Sequence, residues 1–436
     1  MDFLLHAPAY AKVGASFLGI LIAYRFGLTL GYSILVFAVG LTFWTNAGPA
    51  GFSHQAHMLV SPENYVLLIV VLLLLFFTES LDKTGKMKKT INALQTWLKN
   101  PKALLVGFPA LIGLLPMPGG ALFSAPLVEA VDTQHRMPVA QKSAINYWFR
   151  HIWEYWWPLY PGIILAIKYS GLPSGLFFLI QMPFTIAAAI AGYIFIIRKV
   201  SHQSFESVTK GRGPLDFRAV SQTLLPIGIL VGLSLVGSFA IPGLGFSRTL
   251  GNLLAMVIAL IVGLVAIYWG KVSALKSAMA MFTKNNTWEM MLLVLGIQVF
   301  SGALTVPLGN GSTLVTLMRD EFLAMGIPLL LVIALIPFIS GAVTGVAFGF
   351  VGASFPIVFA LIGVNAPLHV VLAATTFAYG CGYMGMILSP VHICFVVSNE
   401  YFKSRMFDTY RYIFVPSLCI FVTGCLLSAS YYYFVK

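Results

Sequence analysis

Apolar residues fill the chain in long runs parted by short polar stretches, and a helix needs about 20 such residues to cross a bilayer. The runs predict spans at about 8–25, 28–45, 64–82, 140–170, 173–197, 219–241, 249–270, 288–308, 366–400 and 410–434. Two further apolar stretches, about 103–132 and 327–362, carry helix breakers at their centres. The first is centred on Pro116-Met117-Pro118-Gly119-Gly120-Ala121-Leu122-Phe123-Ser124-Ala125-Pro126. Proline lacks an N–H donor and glycine favours irregular backbone, so this run cannot continue a helix. Broken backbone at membrane depth is tolerated only where it is buried in protein or lines a watery cavity. A helical hairpin that enters and leaves on one side meets that demand. The second stretch has the same form, with Ile339-Ser340-Gly341-Ala342-Val343-Thr344-Gly345 followed by Gly349-Phe350-Val351-Gly352-Ala353-Ser354-Phe355-Pro356.

The order of these elements repeats. Each half has three spans, a broken hairpin, a long span interrupted by proline and one last span. Pro126 precedes Pro158 by 32 residues, and Pro356 precedes Pro390 by 34. An odd number of spans per half gives the copies inverted topology. The predicted fold class is an all-α polytopic membrane protein of two inverted-topology repeats. It has about ten transmembrane helices, two re-entrant hairpins and two discontinuous helices. The first repeat is 1–197, with its hairpin at about 103–132 and its broken helix at about 140–170. A basic cytoplasmic linker, 198–218, leads to the second repeat, 219–436, with hairpin at about 327–362 and broken helix at about 366–400.

Composition agrees: 59% of the 436 residues are hydrophobic and 9% charged, against about 25% charged in soluble domains. No basic leader with a short apolar core and small-residue cleavage site opens the chain, so the first apolar run is expected to be a retained helix. The net charge of +12 is explained by orientation and needs no nucleic-acid partner. With the loop 83–102 placed in the cytoplasm, the later loops alternate, and Lys and Arg divide twenty inside to five outside, Arg150 lying within a span. This is the positive-inside pattern, and it places both termini outside a prokaryotic cytoplasmic membrane. The four cysteines, Cys381, Cys394, Cys419 and Cys425, lie in apolar runs without a paired zinc or redox motif and are read as packing residues. Glu79, Asp82, Glu129 and Asp132 are expected at the cytoplasmic surface.

Candidate chemistry gathers at the breaks. Inverted repeats with interrupted segments at matching positions point to a secondary transporter with a midplane site. No phosphate loop or soluble nucleotide domain accompanies them, so ATP-driven transport by this chain alone is not expected. Pro118, Gly119 and Gly120 would let backbone amides approach a ligand, and Ser124 could donate a hydroxyl. Ser340, Gly341, Thr344 and Ser354 are their counterparts in the second hairpin. The segment from Asn146 to Pro158 holds Arg150, His151 and Glu154 inside an apolar run, and intramembrane charges mark sites. Arg150 would attract an anion, with Asn146 and Trp157 beside it. His151 and Glu154 would bind and release a proton or hold a coupling cation. Arg150 and Glu154, four apart on one helix face, could instead neutralise each other. Ser389 and His392 at the second break complete the set, since proline frees carbonyls one turn earlier.

The run Pro116-Met117-Pro118-Gly119-Gly120-Ala121 together with Ser389-Pro390-Val391-His392 resembles an uncharacterised prokaryotic integral-membrane family, a domain of unknown function within the ion transporter superfamily. Gluconate, citrate, dicarboxylate and lactate permeases belong to that superfamily. The resemblance covers nearly the whole chain. It implies hairpin tips that meet discontinuous helices around the substrate, a mobile transport domain held by a scaffold, and a homodimer. The Ser-Asn-Thr signature of the sodium-coupled dicarboxylate branch is missing from both hairpins, which counts against sodium coupling and a dicarboxylate.

These readings converge on a secondary active transporter that moves a small carboxylate-like anion, coupled to protons or sodium, with no resident cofactor or metal. Two alternatives differ in class. A transporter or flippase of a larger amphipathic or lipid-linked molecule would use the aromatic residues around Arg150. An intramembrane enzyme would use Ser354 as nucleophile with His369 or His392 as base.

Overall fold

The computed structural model describes residues 7–45, 48–86, 89–90, 92–93, 100–115, 120–201, 216–269, 273–308, 311–363 and 365–435. Among them the chain forms nineteen α-helices and no strand, with one isolated bridge between Pro307 and Thr313. The first half contains α1 Ala9–Arg25, α2 Leu30–Trp44, α3 Gly48–Val60, α4 Pro62–Lys83, α5 Pro101–Gly113, α6 Ala121–Val131, α7 Val139–Arg150, α8 Pro161–Ser170 and α9 Ser174–Gly192. A π-helical turn, Tyr193–Ile197, prolongs α9. The second half contains α10 Phe217–Ala240, α11 Arg248–Tyr268, α12 Ser273–Met279, α13 Asn285–Thr305, α14 Leu314–Ala324, α15 Leu329–Thr344, α16 Ala347–Ile362, α17 Leu368–Ile387, α18 Ile393–Phe402 and α19 Met406–Phe434. Most of the basic stretch 198–218, and Pro116 to Gly119 of the first hairpin, lie outside the described residues.

Among the described residues, seven stretches are long and apolar enough to cross a membrane: Pro62–Lys83, Ser174–Ile197, Val220–Leu244, Arg248–Tyr268, Asn285–Thr305, Leu368–Ile387 and Met406–Phe434. The chain is an all-α polytopic membrane protein. Of the remaining predicted spans, two appear as the shorter α1 and α2, of 17 and 15 residues. The third is divided between α7 and α8. Three helices lie outside every predicted span and hairpin: α3, α12 and α14. The last is started by local chemistry, because Thr313 and Thr316 exchange side-chain and backbone bonds in a capping box.

Proline sets several helix starts. Pro62, Pro101 and Pro161 open α4, α5 and α8, where a missing N–H costs nothing. The hairpin α5–α6 packs against α7, and the hairpin α15–α16 against α17. The two halves also cross: α8 packs on α16, and α18 on α6. Small residues permit the closest approaches. A Cβ on Gly113 of α5 would fall 2.0 Å from the Arg150 carbonyl oxygen, and one on Gly341 of α15 would fall 2.1 Å from that of Gly382. Each hairpin is thereby pressed onto the helix that follows it in its own half.

Asp132 departs from expectation. It is fully buried rather than solvated, and its carboxylate pairs with Lys142 Nζ at 2.9 Å while accepting the N–H groups of Arg136 and Met137. Lys142 also reaches Glu129 at 3.0 Å. A buried charge is retained where its partners satisfy it, and this cluster ties the end of α6 to the start of α7.

Candidate functional site

The first broken helix ends earlier than its proline predicts. α7 stops at Arg150, turns follow through 151–160, and α8 begins at Pro161. The break therefore opens at His151, seven positions before Pro158, and runs for ten residues until the helix resumes at Pro161, so Glu154 is not on a helix face with Arg150. The reason is tertiary. Hydroxyls from packed helices take the carbonyls that a continuous helix would bond: Tyr383 donates to His151 O at 2.9 Å, Tyr379 to Glu154 O at 2.5 Å and Thr185 to Ile152 O at 2.5 Å. Buried backbone at membrane depth is satisfied in this way.

The same segment closes the end of the first hairpin arm. The last carbonyls of α5 lack intrahelical partners. Trp153 donates its indole N–H to Ala110 O at 2.8 Å, Trp157 to Leu114 O at 3.0 Å, and Tyr160 its hydroxyl to Gly113 O at 2.5 Å. Trp157, expected beside Arg150, thus spends its indole N–H on holding the hairpin.

At the second break, residues 388–392 separate α17 from α18. Ser389 donates its hydroxyl to Ala342 O of the second hairpin at 2.7 Å, and Tyr410 and Tyr147 donate to Leu388 O and Ile387 O, both at 2.9 Å. The tip of that hairpin is Gly345, with φ of 62°, and a Cβ there would lie 2.9 Å from His392 N. The left-handed backbone and the close approach both require glycine.

The two breaks meet at a pair of histidines. His151 Nε2 and His392 Nε2 are 3.0 Å apart, with ring planes at 90°. His151 Nδ1 lies 2.6 Å from Tyr147 O and His392 Nδ1 lies 3.4 Å from Met386 O. A Glu154 carboxylate oxygen is 3.8 Å from His151 Nε2. All three side chains are buried.

Arg150, 2% exposed, extends its guanidinium to the start of α6. A Cβ on Gly120 would fall 2.3 Å from its Nη2 and 2.9 Å from its Cζ. Asn146, one turn earlier, donates to Ala121 O at 3.0 Å and to Ser398 Oγ at 2.9 Å. Its side-chain oxygen is buried without a hydrogen-bond partner among the described residues. Gly120, Asn146, Arg150, His151, Glu154 and His392 therefore come together from both halves, with Ser389 bracing the second break.

The other hydroxyls are occupied locally. Ser124 donates to Ala121 O, Ser340 to Gly349 O, Thr344 to Ser340 O, and Ser354 to Phe350 O. Gly341 serves helix packing. Ser354 is fully buried inside α16 and not at the hairpin tip, while the ring of His369 packs on Tyr432 and His392 faces His151. No histidine base is bonded to Ser354 among the described residues, so the serine-nucleophile arrangement is not formed. Pro118 and Gly119 lie outside the described residues.

Sequence patterning gave Tyr147, Tyr379 and Tyr383 no role and read Cys394 as a packing residue. The tyrosines sit in apolar helices where aromatic residues read as core, although Tyr379 and Tyr383 share one helix face by spacing. Cys394 follows His392 by two residues, a short-range signal beside the break.

No curated protein matches the chain. A crystal structure of the Alcanivorax borkumensis YdaH transporter, described as having an unusual topology, overlays with a TM-score of 0.57 at 14% identity, over 87% of each chain. The two share a fold. A MATE mutant structure aligns over 98% of each chain at 13% identity, but its TM-score of 0.14 supports no common arrangement. The family model described as "Protein of unknown function (DUF401)" matches residues 16–431, and the chain belongs to that family.

Proposed function

We propose that this protein is a secondary active transporter that carries a small carboxylate-like anion across the prokaryotic cytoplasmic membrane by alternating access, coupled to a proton or sodium gradient. One observation carries the reading: a buried arginine at a helix break, its guanidinium held against Gly120 at the N-terminus of α6. A helix N-terminus presents free N–H groups and positive dipole, and a guanidinium forks onto a carboxylate. Together they favour an anion over a neutral solute. The fold shared with the YdaH transporter supports transport as the setting.

The matching hairpins and broken helices are read here as two inverted-topology repeats, with the substrate between their breaks. Gly120, Asn146 and Arg150 receive the anion, and the coupling cation is held by Glu154 with His151 and His392. Ser389 and the second hairpin, through Ser340, Gly341 and Thr344, shape the opposite wall. Both termini face outside, and the protomer works as a homodimer among membrane lipids. The apolar stretch Val220–Leu244, only 28% buried within the chain, is available for such contacts.

The test is thermal unfolding of the purified protein against small carboxylates, phosphate and amino acids, with and without sodium. A ligand bound only by the folded state raises stability by mass action. A carboxylate that stabilises the native chain and not Arg150→Gln is expected. Stabilisation that survives Arg150→Gln removes the anion site from this break.

A further inference from the structure

We propose that His151, His392 and Cys394 form a binding site for a late transition-metal ion of the zinc or copper class at the junction of the two broken helices. The donor atoms of these three buried residues, the two imidazole nitrogens and the thiol sulfur, all lie within 4.8 Å of one another. His151 and His392 lie at the two breaks, 241 residues apart in sequence, and Cys394 stands in the first turn of α18, two residues after His392.

The hydrogen bonds of the rings fix what faces inward. A backbone carbonyl only accepts, so His151 Nδ1, 2.6 Å from Tyr147 O, carries a proton; His392 Nδ1 points at Met386 O in the same sense. A neutral imidazole then offers a lone pair at Nε2. His151 Nε2 thus presents a lone pair to His392 Nε2 at 3.0 Å, and in the tautomer that donates Nδ1–H to Met386 O, His392 presents its own, so that a cation would be held by both. Metal-bound histidines commonly donate their other N–H to a carbonyl, which orients the ring. The observed pairs have that form.

The remaining donors select the class of ion. Imidazole nitrogen with cysteine sulfur suits zinc and copper, whereas magnesium and calcium prefer oxygen. Zinc–nitrogen bonds of about 2.0–2.1 Å and zinc–sulfur bonds of about 2.3 Å bring such atoms within about 4 Å of each other. The cluster reaches that by a side-chain adjustment of about 1 Å at its longest separation. Glu154, whose carboxylate is 3.8 Å from His151 Nε2, lies beside the three-donor group and would have to turn toward it to serve as a fourth ligand. Its charge and that of a Cys394 thiolate balance a divalent ion, and binding releases the thiol proton. Arg150 is the opposing charge nearby, held away at Gly120. The ion would pin α7 to α18 across the two halves.

Bound there, the metal ion would take the place drawn above for the coupling cation, while the anion reading at Arg150 is independent of it, and the test does not involve transport. The full-length chain, purified in detergent and stripped with a chelator, is titrated with zinc against a competing chelator and, separately, with cobalt(II). One equivalent of zinc and a thiolate-to-cobalt charge-transfer band are expected. Cys394→Ser should abolish the band, and it and His392→Asn should each weaken zinc by about tenfold or more, a loss typical of disturbed metal sites. Size-exclusion profiles and helical circular dichroism identify variants that still fold. Binding of less than one equivalent by the native chain overturns the proposal. So does a charge-transfer band that persists in Cys394→Ser, or zinc affinity within threefold of native in both variants.

Discussion

At the scale of single residues, the argument turns on Arg150 and what lies against it. Replacing it by lysine keeps the charge but loses the planar fork. Arg150→Lys should therefore retain ligand-dependent stabilisation with affinity lower by about tenfold, the equivalent of one charged hydrogen bond at about 1.5 kcal/mol. Gly120→Ala removes no polar group, yet its new Cβ would sit 2.3 Å from Arg150 Nη2. The guanidinium must move, so carboxylate-dependent stabilisation should disappear while the variant remains folded; unchanged ligand response in thermal unfolding would place the anion elsewhere. Arg150 was legible in the sequence because a charge inside an apolar run has no ordinary explanation. Cys394 was not, because a cysteine among phenylalanine, valine and isoleucine reads as core, and its histidine partner His151 is brought to it only by folding. The tyrosines were hidden for the same reason.

At the scale of elements, breaks written in proline and glycine could be read, and breaks imposed by neighbours could not. The hairpin arms α15 and α16 and the second break at Ser389-Pro390 fall where their punctuation indicates. Nothing in 151–156 is a helix breaker, so the early end of α7 depends on hydroxyls from other helices. Tyr379→Phe strands one buried carbonyl, that of Glu154, whereas after Tyr383→Phe the His151 carbonyl keeps the Glu154 backbone N–H. Burying an unsatisfied group costs about 1–3 kcal/mol, whereas membrane hydrogen bonds average only about 0.6. Tyr379→Phe should therefore lose about 1–2 kcal/mol in reversible denaturant unfolding and Tyr383→Phe less than that; a loss near zero for Tyr379→Phe would show that the turns hold without its hydroxyl. Helix packing gives a sharper contrast. Gly341→Leu drives carbon into the Gly382 carbonyl, and overpacking of this kind costs about 1–3 kcal/mol or more. Gly14, in the middle of α1, has nothing within 4 Å of a Cβ. Gly14→Ala should instead stabilise the chain by about 0.5–1 kcal/mol, since alanine is the better helix former.

For the whole molecule, topology follows from parity. A hairpin that re-enters adds no crossing, and a hairpin mistaken for a span changes the side of everything after it. Seven predicted spans separate the loop 83–102 from Lys436, an odd number, so the two should face opposite sides of the membrane. The same parity would survive if both hairpins crossed, so the C-terminus alone cannot test them. The discriminating pair of positions flanks the first hairpin. Reporters fused after Lys102 and after Arg136 should both indicate the cytoplasm, as fluorescence without phosphatase activity, because α5 and α6 turn back on one side. A reporter after Lys436 should give phosphatase activity without fluorescence. If Lys102 and Arg136 report opposite sides, α5 and α6 together cross the bilayer. Gly120 and Arg150 would then stand on a spanning segment instead of at a hairpin tip, and the anion site drawn there would lose the helix N-terminus on which its preference for negative charge depends.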